Sequence, residues 1–234
     1  MRVELATEPG TLGWPNEDFA AAAPGAAVLL DGCTTTPPGA STGCLHGVAW
    51  YARALGGVLL GQISADPAIP LPEALANAIE QVRASHADQC DLADPRTPAA
   101  TVTAVRIAPA GFEVLALADS VIIADYGKDR APLVITDRHR AASTNPAAAG
   151  QARTATVLRD GLQAIALLSD GATRIAEQYG LLGWPELVSV LRDEGPAELV
   201  AQVRAAEDAD PDGARWPRSK LRDDATVLYW PQPA

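Results

Sequence analysis

Four aspartates stand at the tips of apolar runs. Asp31 closes Val28-Leu29-Leu30, Asp119 closes Val114 to Ala118, Asp170 follows Ile165-Ala166-Leu167-Leu168-Ser169, and Asp223 stands just before Ala225 to Trp230. A further acidic pair lies in Asn16-Glu17-Asp18. Strand tips on one rim of a sheet are close in space however far apart they are in sequence. Carboxylates gathered there repel one another and raise each other's pKa. Hard divalent cations relieve that repulsion, and an all-oxygen ligand set favours Mg²⁺ or Mn²⁺ over zinc or copper. Two such ions lower the pKa of a shared water and grip a phosphoryl oxygen during in-line attack. Taken singly, Asp31-Gly32 and Asp170-Gly171 are common turn dipeptides with solvated acids. It is the set that points to a metal site.

The acids need a scaffold that brings strand ends together. Short apolar or alternating runs predict strands at 26–30, 101–107, 112–118, 121–126, 133–136, 164–168 and 225–230. Ala108-Pro109-Ala110-Gly111 joins two of them in a hairpin, which implies antiparallel pairing rather than a βαβ repeat. Leu75, Ile79, Val82 and His86 share one face of a helix over 73–87. Pro185 and Pro196 suit the first turns of two more, which bury Leu187 and Leu191, then Leu199 and Val203. Residues 47–63 read as helical in the middle, weakened by Gly56-Gly57. The expectation is an α+β fold of mainly antiparallel sheets flanked by amphipathic helices. The Pro/Gly-rich stretches are short, so residues 1–234 are read as one domain.

Composition narrows the partners. A net charge of −11 argues against nucleic acid, because phosphate backbones reward clustered Lys and Arg. No run of eighteen apolar residues suggests a membrane span, and the N-terminal residues lack the basic-then-apolar layout of a secretory signal. Cys33, Cys44 and Cys90 are odd in number and show no Cys-x-x-Cys spacing, and His46, His86 and His139 are the only histidines. That spacing predicts neither a disulfide framework nor a zinc site, and suggests a reducing, cytoplasmic setting. No Gly-x-Ser-x-Gly, Walker-type loop or dinucleotide fingerprint is present.

In order along the chain, the motifs resemble the type 2C family of metal-dependent Ser/Thr protein phosphatases. Asn16-Glu17-Asp18 resembles the first acidic motif, Val28 to Gly32 the strand into the metal-bridging Asp-Gly, and Pro98 to Val102 the opening of the central hairpin. Leu117-Ala118-Asp119-Ser120 is similar to Gly-Asp-Ser, with Ala118 in place of glycine. Thr136-Asp137-Arg138-His139 resembles a later motif, Ser169-Asp170-Gly171 the metal-binding Ser-Asp-Gly, and Asp223-Asp224-Ala225-Thr226 the closing Asp-Asn-x-Thr, with Asp224 in place of asparagine. The resemblance implies a four-layered α/β/β/α sandwich with two Mg²⁺ or Mn²⁺ ions at one end of the sheets. Asp31, Asp170 and Asp223 would hold the metals with the backbone carbonyl of Gly32. Glu17 and Asp18 would act mostly through metal-bound water, and Asp119 would serve a third, weaker ion. A phosphoprotein or a small phosphoester would be attacked by metal-activated water, without a phosphoenzyme.

Two departures leave a catalytically weak or regulatory relative as the alternative. The arginine that grips phosphate about five residues before the first-motif aspartate is missing near Gly13-Trp14. After Gly32 the family's glycines and general-acid histidine give way to Cys33-Thr34-Thr35-Thr36-Pro37-Pro38 and a polar loop to Cys44-Leu45-His46. Two expectations compete for His46. Either it folds back with Arg53 as a proton donor and phosphate ligand, or it packs against the following helix. Cys33 is either oxidation-sensitive or a small buried hydrophobe.

Overall fold

A computed structural model describes residues 2–33, 43–94, 96–137, 141 and 144–232. In chain order these form β1 (Glu4–Glu8), β2 (Phe19–Ala23), β3 (Ala26–Leu30), β4 (Gly32–Cys33), α1 (Val48–Ala65), α2 (Leu71–His86), β5 (Ala99–Ala100), β6 (Val102–Ala108), β7 (Gly111–Leu117), β8 (Val121–Asp125), β9 (Leu133–Ile135), β10 (Arg153–Leu158), β11 (Ala164–Leu168), α3 (Asp170–Glu177), α4 (Trp184–Asp193), α5 (Pro196–Asp208) and β12 (Ala225–Pro231). A 3₁₀ turn spans Pro146–Gln151.

The strands make two antiparallel sheets, ordered β1-β12-β11-β8-β9 and β10-β7-β6-β3-β2, plus the short pair β4-β5. Because side chains alternate across a strand, each central strand feeds two apolar layers. In β3, Ala26, Val28 and Leu30 pack under α1 and α2, while Ala27 and Leu29 face the other sheet. In β11, Ala164, Ala166 and Leu168 lie under α3, α4 and α5, and Ile165 and Leu167 face back. Three apolar layers therefore separate four structural ones, as the resemblance implies. Burial on both faces explains why these strands read as continuous rather than alternating apolar runs.

Sequence periodicity missed β1, β2, β10 and α3. The three strands are sheet edges. Edge strands expose polar residues, as in Arg153-Thr154-Ala155-Thr156, or use alanine, as in Phe19-Ala20-Ala21-Ala22-Ala23, so they carry little β signal. The helix expected in the middle of 47–63 is longer than expected and runs from Val48 to Ala65 straight through Gly56-Gly57. A Cβ on Gly56 would come within 2.4 Å of the Phe19 ring and 2.9 Å of Leu30, so glycine lets α1 lie close on the sheet. The expected strand 101–107 starts one residue late, because Thr101 is used to hold Asp31.

Candidate active site

The acids of both sheets meet at one end of the sandwich. Asp31 leaves β3 where the chain swings into β4, and Thr101 pins it from both sides. The Asp31 N–H donates to Thr101 Oγ1 at 3.2 Å, and the Thr101 N–H donates to the Asp31 carbonyl at 2.8 Å. Asp170 opens α3 just past β11, where the N-terminal dipole favours a carboxylate. The Thr226 N–H donates to Ser169 Oγ at 2.9 Å, and the Ser169 N–H donates to the Thr226 carbonyl at 3.0 Å, which sets Asp170 beside the entry to β12. Asp18 immediately precedes β2 and is 6% exposed.

Two glycines allow these backbones to touch. A Cβ on Gly171 would fall 2.0 Å from the Asp224 carbonyl oxygen, and one on Gly32 would fall 2.7 Å from that of Glu17. Asp224 then ties the first acidic segment down. One carboxylate oxygen accepts the Gly10 N–H at 2.7 Å and the other accepts the Glu17 N–H at 2.7 Å. An asparagine has a single carbonyl oxygen to accept with, so the aspartate here serves both donors at once.

Charge is concentrated accordingly. Burial pushes Asp18 up to about 7 from 3.8, with Asp224 and Asp170 adding repulsion. The hydroxyls of Thr226 and Ser169 pull it part of the way back, yet neither buried Asp18 oxygen has a partner at full hydrogen-bonding geometry. Burial, then the fields of Asp18, Asp170 and Asp223, hold Asp31 well above the carboxylate range. Burial and Asp223 raise Asp170, which shares a hydrogen bond with Asp31. Asp223 is better compensated, with Arg174 donating to one oxygen at 2.7 Å and Lys220 to the other at 2.8 Å. Burial works to lower the Lys220 ammonium, but its bond to Asp223 and the fields of Asp31 and Glu17 push it up to about 12.

Such a set fits hard cations: buried carboxyls, orphaned oxygens and no soft donor except Cys33. Burial of the sulfur and the neighbouring Asp31 and Asp119 raise the thiol of half-buried Cys33, which keeps it protonated and argues against the oxidation-sensitive reading. Among the described residues, the one trio of such side chains with ligand atoms all within 4.8 Å of one another is Cys44, His86 and Cys90. By the same measure, no three of the described rim acids bring ligand atoms that close together.

Asp119 is exposed on the β7–β8 turn, and its field also raises Asp170. Ala118 beside it has φ 67°, in the left-handed region where glycine is at ease. Asp119, Asp170, Arg174, Glu177, Arg218 and Ser219 line a hollow of about 250 Å³. A larger hollow of about 720 Å³ lies at the opposite ends of β11 and β12, lined by Arg2, Glu4, Arg192 and Tyr229 among others, and holds none of these acids.

His46 goes elsewhere. Its ring stacks on Trp50 with centroids 3.9 Å apart, and Nδ1 faces the sulfurs of Cys44 and Cys90. This is the packing expectation rather than the catalytic one. Arg53 does reach the first acidic segment, donating to the Asn16 carbonyl at 3.2 Å. Residues 138–140, and with them Arg138 and His139 of the later motif, lie outside the described residues, as does the loop 34–42. Sequence reasoning missed Arg174 and Lys220. Their signal was helical or near-helical spacing, Arg174 four residues after Asp170 and Lys220 three before Asp223.

A sequence profile described as protein phosphatase 2C matches residues 12–204. No curated protein matches by sequence. Among solved structures, the serine/threonine phosphatase Stp1 of Staphylococcus aureus superposes with a TM-score of 0.68 at 14% identity, covering 99% of this chain and 95% of that one. The phosphatase PstP/Ppp of Mycobacterium tuberculosis gives 0.66 at 15% identity, covering 100% and 99%. The PPM Ser-Thr phosphatase MsPP of Mycobacterium smegmatis, solved with cacodylate, gives 0.65 at 18% identity, covering 100% and 99%. At these identities the structures establish a shared fold.

Proposed function

Because the chain belongs to the protein phosphatase 2C family, we propose that it hydrolyses phosphoserine and phosphothreonine esters in proteins with the help of two Mg²⁺ or Mn²⁺ ions. The observation that carries this is the convergence of Asp18, Asp31 and Asp170 in a mutually repulsive, buried group, with Asp223 beside it. Asp31, Asp170 and Asp223, with the Gly32 carbonyl, are the residues that would hold the ions. Asp18 would accept from their water, and Asp119 would serve a third ion. Bound divalent cations supply a water of lowered pKa and neutralise charge on the phosphoryl oxygens.

The chain's own groups do the rest. Thr101, Ser169 and Thr226 fix the carboxylates before substrate arrives, so little reorganisation is needed when charge shifts. Lys220 is 47% exposed at this rim, and it supports a phosphate contact in place of the arginine missing near Gly13. Arg218 is less suited, because its guanidinium is committed to Asp210 and 1% exposed. A reducing, cytoplasmic setting completes the proposal, since it preserves the three thiols. Among the described residues, no helix is long and apolar enough to cross a membrane.

The test is turnover of p-nitrophenyl phosphate and of a phosphothreonine peptide with Mn²⁺ or Mg²⁺. The expected result is activity that chelation abolishes and that Asp31→Asn lacks. A wild-type chain inert toward both substrates at every metal concentration would overturn the proposal.

A further inference from the structure

The thiols and imidazoles that the mechanism leaves unused form a second cluster. Cys44 Sγ and Cys90 Sγ lie 2.8 Å apart, and each residue is 8% exposed. A ring nitrogen of His86, itself 1% exposed, completes a trio with all ligand atoms within 4.8 Å of one another. His46 Nδ1 stands 3.7 Å from Cys44 Sγ and 3.5 Å from Cys90 Sγ. We propose that Cys44, His46, His86 and Cys90 form a structural Zn²⁺ site that fastens the segment beginning at Gly43 to the C-terminal end of α2.

Three features favour a metal over simple packing. The first is the tautomer of His86. Its Nδ1 lies 2.6 Å from the Val82 carbonyl one turn back in α2, so Nδ1 must be the protonated nitrogen. That leaves the lone pair on Nε2, the orientation an outer carbonyl gives a metal-bound imidazole. The second is donation to sulfur. The Leu45 N–H points at Cys90 Sγ at 3.2 Å and the His46 N–H at Cys44 Sγ at 3.4 Å, contacts that stabilise thiolate charge. The third is spacing. With Zn–S about 2.3 Å and Zn–N about 2.0 Å, tetrahedral ligand atoms lie roughly 3.3–3.8 Å apart. The His46-to-sulfur distances already match, and the two sulfurs must separate by about 1 Å, within reach of a small χ1 adjustment.

Two thiolates and two imidazoles are a soft, nitrogen-rich set, which selects zinc and is unlike the all-oxygen rim. Binding would release the two thiol protons to solvent as the thiolates take the cation. The site would anchor a segment that is otherwise held by the Gly43 N–H on Asp94, at 3.0 Å, and the Asp91 N–H on the Gly43 carbonyl, at 2.7 Å.

The test uses the full chain, reduced and freed of metal with a chelator, then titrated with Co²⁺ and Zn²⁺. The expected result is about one equivalent of Co²⁺ giving thiolate-to-cobalt charge-transfer absorption, which Zn²⁺ displaces. Asp170→Asn keeps that band, whereas Cys44→Ser and Cys90→Ser lose it. X-ray absorption on the zinc-loaded wild type provides a readout that no variant's folding can confuse, and a mixed sulfur–nitrogen shell is expected. A shell of oxygen and nitrogen alone would overturn the proposal. So would a charge-transfer band that survives in Cys44→Ser/Cys90→Ser, or reduced protein that binds no Co²⁺ through sulfur and merely oxidises to a Cys44–Cys90 disulfide.

Discussion

The molecule gathers two groups of ligand-type side chains, and they solve opposite problems. At the sheet rim, acids from five stretches of chain are forced together, and their repulsion is only partly relieved, most fully at Asp223, which has two cationic partners. Between Gly43 and Cys90, thiols and imidazoles lie together, and backbone N–H groups already point at the sulfurs. The first group destabilises the fold unless cations arrive, and is thereby poised for chemistry. The second is quiet and suited to holding a segment in place. Burial of charge without compensation marks the functional cluster, whereas closeness of ligand atoms marks the structural one.

That contrast can be broken most directly at Asp170. We expect Asp170→Asn to lower kcat about 10³-fold, on the order of 4 kcal/mol of transition-state stabilisation, while sulfur-based Co²⁺ absorption persists. Loss of both signals together would mean the two clusters are not independent. Next comes Asp224→Ala, which removes the acceptor of two backbone N–H groups. It should cost roughly 3 kcal/mol in urea unfolding, with falling activity, because Glu17 and Asp18 lose their tether.

A pH series sharpens the comparison further. In metal-free protein Asp18 binds its proton more tightly when folded, at about 7 against 3.8. Stability should therefore be full below about pH 4 as far as this group is concerned, and fall as pH rises toward 7. The measurement is Tm with a chelator across that window. Asp18→Asn should flatten the slope, and Mn²⁺ should cancel it in the wild type. The smallest expected effect is at Ala118. Ala118→Gly relieves a left-handed backbone and should raise stability by up to about 1 kcal/mol, read from the denaturation midpoint. A loss instead would mean that the Cβ packing of this buried residue outweighs the strain.

How much of this was legible depended on burial. The central strands announced themselves because both faces are apolar, and the aspartates at their tips were visible for the same reason. The edge strands β1, β2 and β10 carried too little apolar patterning to show, and the full length of α1 was obscured by a glycine that allows close packing against Phe19. Motif order implied the acids, but Arg174 on α3 turns to Asp223, which is distant in sequence, a pairing that only the fold reveals. The thiol cluster escaped notice because its pairs are Cys44-x-His46 and His86-x₃-Cys90, from the start of one helix and the end of another. Neither pair looks like a ligand pair until the fold superimposes them.

The pairing of β1 with β12 has a consequence in time. Glu4 lies opposite Tyr229 and Glu8 opposite Ala225, and Asp224 holds Gly10 and Glu17. A ribosome-bound chain therefore carries its early acids for some two hundred residues of synthesis without the strand that completes their surroundings. Such distant contacts form late and slowly. Hydrolytic competence would then emerge only once β12 is free of the exit tunnel, so the growing polypeptide stays inert toward its neighbours' phosphates.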